Sequence, residues 1–181
     1  MVRALLAAVL LLAATAPAQA PKPSPAARQL ETTVRAFLAV LKAGAPAATV
    51  PYLSARGVVL DMDGERATLA EVRRQFAGKT GLYCRWFDSD CLRREMQDQS
   101  GGVFTQRTTQ PRSYRELLRL AEKSELKVSL DPDTPGRAEA SVCLRGPKLA
   151  AAGAGYLLEF QFERTAAGWK LDLEEGNFAG C

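Results

Sequence analysis

Four cysteines, three Asp-x-Asp pairs and a complete lack of histidine set the chemistry open to this chain. Without histidine there is no Ser-His-Asp or Cys-His nucleophile system. Histidine-ligated zinc, copper and iron sites are excluded with it. The cysteines are Cys84, Cys91, Cys143 and Cys181, an even number that allows three disulfide pairings. Cys84 and Cys91 bracket only Arg85–Asp90, and so short a loop favours a bridge between them. Cys143 is then left to Cys181, tying the last residue to a central strand. Zinc sites place cysteines two to four residues apart, often beside histidine, and neither feature occurs. Cys84 and Cys91 also lack the two-residue spacing of thioredoxin-type redox sites, so sulfur reads as cross-link and no metal is expected.

The acidic pairs are Asp61/Asp63, Asp88/Asp90 and Asp131/Asp133. If Gly64 took the sixth position of an EF-hand loop, Val59 and Ala70 would fall at the first and last ligand positions, so that template fails. Asp131-Pro-Asp-Thr-Pro-Gly136 is turn chemistry, in which Asp and Pro serve backbone geometry. What survives as catalysis is metal-free acid–base work, in which burial raises a carboxylate's pKa towards neutrality and a tyrosine assists. Asp61 and Glu159, with Tyr83 or Tyr156, are the candidates, although strand alternation puts Asp61 opposite the apolar set. The competing use is binding. Tyr83, Arg85, Trp86 and Phe87 crowd beside the short cysteine loop, and rigid aromatics with an arginine are common anchors of a contact. The alternative for Trp86 and Phe87 is a lid folded back on the sheet, each burial contributing about 2–3 kcal/mol.

The elements that position these residues follow from periodicity. Met1-Val2-Arg3, an apolar run from Ala4 to Ala14 and Ala18-Gln19-Ala20 make a signal peptide over 1–20. The run is short of the roughly twenty residues a membrane span needs. A short proline-rich leader follows at 21–25, then one domain over 26–181. Ser24-Pro25 opens a helix with Leu30, Val34, Phe37, Leu38 and Leu41 on one stripe and Gly44 closing it. Pro46–Leu53 suggests a second short helix. Val58, Leu60 and Met62 alternate with polar partners up to an Asp63-Gly64 turn, and Glu65–Ala67 returns. Thr68-Leu-Ala-Glu71 is a capping box carrying Val72 and Phe76 inward. Residues 81–110 are the least patterned, with a short helix around Leu92–Met96. Ser113-Tyr-Arg-Glu116 starts another helix through about Lys123. Strands are expected at Lys127–Leu130, Arg137–Arg145, Tyr156–Arg164 and Trp169–Leu173, giving an α+β domain with helices first and an antiparallel sheet last.

Two stretches carry a resemblance. Gly57–Val72 is a strand, an Asp-Gly turn and a helix, and Phe160–Leu171 is a hairpin returning through Gly168-Trp169-Lys170. In these the chain resembles the nuclear transport factor 2-like (SnoaL-like) superfamily. The resemblance implies a curved, cone-like sheet of about four to six strands wrapped on helices, with a cavity at the wide end. The segment 81–110 departs from the pattern as a disulfide-bearing insertion. No catalytic residue and no cofactor is carried over, since such domains host enzymes and binders alike.

The formal charge of +4 falls by one if Arg3 is removed, and the excess sits mainly between Lys79 and Arg119. That is far from a nucleic-acid footprint. The expectation is a secreted or periplasmic domain, cleaved near Ala20, that binds a small ligand or an envelope or extracellular protein, with a homodimer left open. The metal-free isomerase or hydrolase-like enzyme is its rival.

Overall fold

The computed structural model describes residues 23–60, 65–99, 111–149, 155–179 and 181. The segment expected to be a signal peptide, and Asp61, Met62, Asp63 and Gly64, lie outside the described residues. Helix α1 (Pro25–Ala43) begins as its sequence dictates. The Ser24 hydroxyl accepts from Ala27 N–H at 3.1 Å, and Pro25 needs no partner for the donor it lacks. It ends on Gly44, at φ 76°, which returns its N–H to Val40 and Leu41. Leu30, Val34, Phe37 and Leu41 are fully buried along one stripe, so α1 lies against α6, β3 and β6.

A short helix α2 (Pro46–Thr49) and a 3-10 turn (Val50–Tyr52) lead into β1 (Val58–Leu60) and β2 (Glu65–Ala67). Helix α3 (Leu69–Gly78) starts on the expected capping box: Thr68 and Glu71 satisfy each other's backbone N–H groups. The segment read as poorly patterned forms two helices, α4 (Leu82–Phe87) and α5 (Ser89–Gln99), at least as far as residue 99. Helix α6 (Tyr114–Leu120) is capped by Ser113 and stops three residues before the expected end. Lys123 is already the first residue of β3 (Lys123–Leu130), four residues ahead of expectation, because it pairs with Arg145 of β4 (Arg137–Arg145).

The remaining strands are β5 (Tyr156–Thr165) and β6 (Gly168–Ala179), the latter running six residues past the end its apolar pattern indicated. The six strands run in the order β2-β1-β6-β5-β4-β3. All neighbours are antiparallel except β1 and β6, which pair in parallel and make the sheet mixed. Alternation in β4 and β5 sends Ala138, Ala140, Val142, Leu144, Tyr156, Leu158, Phe160 and Phe162 into the core. The opposite face is polar. There Arg56 pairs with Glu163 and Asp172, and Arg66 reaches the same Asp172 at 2.7 Å, joining the β1–β2 hairpin to β6. Both expected disulfides are formed, Cys84–Cys91 and Cys143–Cys181. Among the described residues no helix is long and apolar enough to cross a membrane.

Candidate functional site: a sealed carboxylate and an open groove around one short helix

Helix α4 organises both features. Its entry is set by Gly81, at φ 53°, whose N–H donates to Glu95 at 2.7 Å, while Leu82 N–H donates to Gln75 at 2.8 Å. Its exit is fixed by Asp88, whose Oδ1 accepts from the backbone of Asp90 and Cys91 and so caps α5. Six residues make fewer than two turns, so successive side chains point to very different surroundings. Leu82 and Trp86 go to the core, Cys84 is bonded to Cys91 on α5, Arg85 turns towards β6, and Tyr83 and Phe87 stack with ring centroids 5.7 Å apart.

Within the core lies Glu174, with 0 % of its surface exposed. Trp86 Nε1 donates to its Oε2 at 2.8 Å, the Tyr114 hydroxyl donates to Oε1, and the Arg85 guanidinium stands 3.3 Å away. Phe37 meets Trp86 edge-on at 5.6 Å, and Phe160 meets Tyr114 in the same way at 5.9 Å. Trp86 and Tyr114 are as buried as the carboxylate. The donors that meet it are side chains of α4 and α6.

Sequence alternation does not reveal Glu174. Trp169 and Leu171 are buried, so the next inward positions of a regular strand would be 173 and 175. The pairs Phe162↔Leu171 and Gln161↔Leu173 leave Asp172 as an extra residue, a bulge that reverses the parity and turns Glu174 inward opposite Phe160. The carboxylates considered from sequence sit elsewhere. Glu159 is half-buried on the polar face of the sheet, opposite Ser141, and Asp61 lies outside the described residues. Tyr156 is buried in the core at the far end of β5, and Tyr83 is half-buried.

The four residues expected to form a contact surface are brought together but divided in role. Trp86 is fully buried and Phe87 is 6 % exposed, so neither is a surface platform. Arg85 is engaged with Glu174. Tyr83 and the rim of Phe87 form one wall of an open groove of about 500 Å³, between α4, the start of α5, and α6. Arg93, Arg115 and Arg119 line it together with the acids Asp88, Asp90 and Glu116. Sequence reading missed the arginines of α6, which look on a helical wheel like an ordinary solvated face.

As a metal site, only one cluster of described residues comes close. The sulfurs of Cys84 and Cys91 and the carboxylate of Glu95 lie within 4.8 Å of one another, but the two sulfurs are bonded to each other and offer no thiolate. The Asp131 pair behaves as turn chemistry, with Asp131 Oδ1 accepting from Asp133 and Thr134 N–H groups. These hydrogen bonds hold its carboxyl below the usual aspartate range.

An open mixed sheet with α1 laid across its apolar face makes an α+β fold. Solved structures with a similar fold include a ketosteroid isomerase-like protein from Erwinia carotovora atroseptica. It shares 12 % identity over 86 % of this chain and 96 % of its own, with a TM-score of 0.43. An NTF2-like protein with a cystatin-like fold from Novosphingobium aromaticivorans shares 12 % identity over 84 % of this chain and 80 % of its own, at 0.41. No protein-family model and no curated protein matches the sequence.

Proposed function

We propose that this chain is an exported binding domain, cleaved near Ala20, that takes a small ligand or a segment of another protein in the α4–α5–α6 groove and performs no chemistry of its own. One contrast carries the reading. The carboxylate–tyrosine pair that acid–base catalysis would need exists as Glu174 and Tyr114, but it is fully buried, and the carboxylate already accepts from Trp86 and Tyr114. The groove, by comparison, is open and is lined by Tyr83 and the rim of Phe87, by three arginines and by the acids Asp88, Asp90 and Glu116. Its volume lies within the roughly 300–1,000 Å³ of ordinary ligand sites. Two disulfides are consistent with an oxidising compartment and support export.

The test is a fragment screen by amide NMR on protein secreted from its full-length gene. Intact mass before and after reduction should first give a chain starting at Pro21 that gains the hydrogens of two opened disulfides. Binding fragments should then shift Tyr83, Ser89, Arg115 and Arg119 together, and Tyr83→Ala should remove those shifts. A chain that retains Met1, or fragments that cluster on another surface, would overturn the reading.

A further inference from the structure

Arg115 and Arg119 stand one turn apart on α6 and both line the groove. Like charges at this spacing repel, and a helix ordinarily relieves them with an acid. Three acids, Asp88, Asp90 and Glu116, line the same groove, and each is already engaged elsewhere. Asp88 caps α5, Asp90 pairs with Arg93, and Glu116 accepts from the Ser89 hydroxyl and lies 3.6 Å from Arg112. Among the described residues, neither Arg115 nor Arg119 has a hydrogen bond or an ion pair.

Arg115 is nonetheless held in place. Its guanidinium lies on Gly44, so closely that a Cβ there would sit 2.5 Å from Cζ and Nε. Nε is buried without a partner. The C-terminal end of α1 favours a cation at that point, which accounts for where the group sits but supplies no counter-ion. The same groove is lined by Tyr83 and the rim of Phe87, whose rings lie 5.7 Å apart.

We propose that the groove binds a small aryl carboxylate, its ring against Tyr83 and Phe87 and its carboxylate on Arg115 and Arg119. A guanidinium presents paired N–H donors that match a planar carboxylate, and two of them one helical turn apart can share its oxygens. Inorganic phosphate would satisfy the arginines but leave the aromatic wall unused. The proposal rests on the groove being the binding site, as argued under Proposed function.

The experiment titrates the mature, oxidised protein with 2-naphthoate, its neutral analogue 2-naphthamide, and inorganic phosphate, by calorimetry and amide NMR. Naphthoate should bind at least tenfold more tightly than either of the others. Arg115→Gln and Arg119→Gln should each weaken naphthoate at least fivefold and leave naphthamide unchanged, while Tyr83→Ala weakens both aryl ligands. Arg119 is exposed, so its variant remains informative even if Arg115→Gln disturbs the packing on Gly44. Equal affinity for naphthoate and naphthamide, with both lost in Tyr83→Ala, would overturn the carboxylate assignment and leave the groove as the site. Phosphate binding as tightly as naphthoate would also overturn it. No shift in the groove with any ligand would remove both the assignment and the site.

Discussion

Glu174 takes a position in the core that an apolar side chain would fill without cost. A buried carboxylate is tolerated only when its lost hydration is replaced, and here an indole N–H, a phenol and a guanidinium replace it. The cluster therefore locks α4 and α6 onto β6, and the three donors are strained for a partner if the carboxylate is removed. Glu174→Ala is expected to destabilise the fold by about 3–5 kcal/mol, the range for breaking a buried charged pair. Tyr114→Phe, which removes one hydrogen bond to a charged group, should cost about 1.5–3 kcal/mol. Urea unfolding measures both. A Glu174→Ala loss below that for Tyr114→Phe would mean that water already serves the carboxylate, against its full burial.

At the scale of elements, α3 offers a test of local sequence chemistry. The backbone N–H of Thr68 and then its hydroxyl hold the Glu71 carboxyl below its ordinary value of 4.5, outweighing the opposing effect of desolvation, with Arg74 adding least. A carboxyl with a lowered folded pKa contributes stability that is fully present well above 4.5 and is lost as pH falls through the folded value. Unfolding followed against pH should show wild type more stable than Glu71→Gln near neutrality, with the gap closing in acid. A gap that persists at low pH would place the effect in packing instead. The same cap was legible in the sequence, as were α1, β4 and β5, because each rests on short-range geometry: a capping side chain, a closing glycine, or strict alternation. Helix α4 was not legible. Tyr, Cys, Trp and Phe are mediocre helix formers, no side chain caps its start, and it forms because Trp86 and Leu82 pack inward and Cys84 is stapled to α5. The early start of β3 was hidden because Lys123, Ser124 and Glu125 are exposed and carry no apolar alternation, and their backbones pair with β4. Of the candidate site, Tyr83 and Phe87 were legible as aromatics beside a cross-link. Glu174 was hidden by the bulge at Asp172, and the arginines of α6 by their likeness to any polar helix face.

For the molecule as a whole, the two disulfides divide the work between stability and shape. Cys143–Cys181 spans 38 residues and ties the end of the chain to β4, where Arg145 also donates to the Cys181 carbonyl at 2.8 Å. Cys84–Cys91 spans seven residues and joins α4 to the first turn of α5. Loop-closure entropy assigns about 4 kcal/mol to the long loop and about 2.5 kcal/mol to the short one, as upper guides. Paired Cys-to-Ser variants should therefore rank in that order by urea midpoint. Their local effects should rank the other way. With Cys143 and Cys181 replaced, the sheet keeps its ladder and the α4 lock is untouched, so Trp86 should stay shielded from acrylamide in a Trp169→Phe background. With Cys84 and Cys91 replaced, a six-residue helix of poor intrinsic propensity loses its covalent hold, and quenching of Trp86 should rise although less stability is lost. Equal shielding of Trp86 in both variants would show that the Glu174 cluster alone is enough to hold α4 in place.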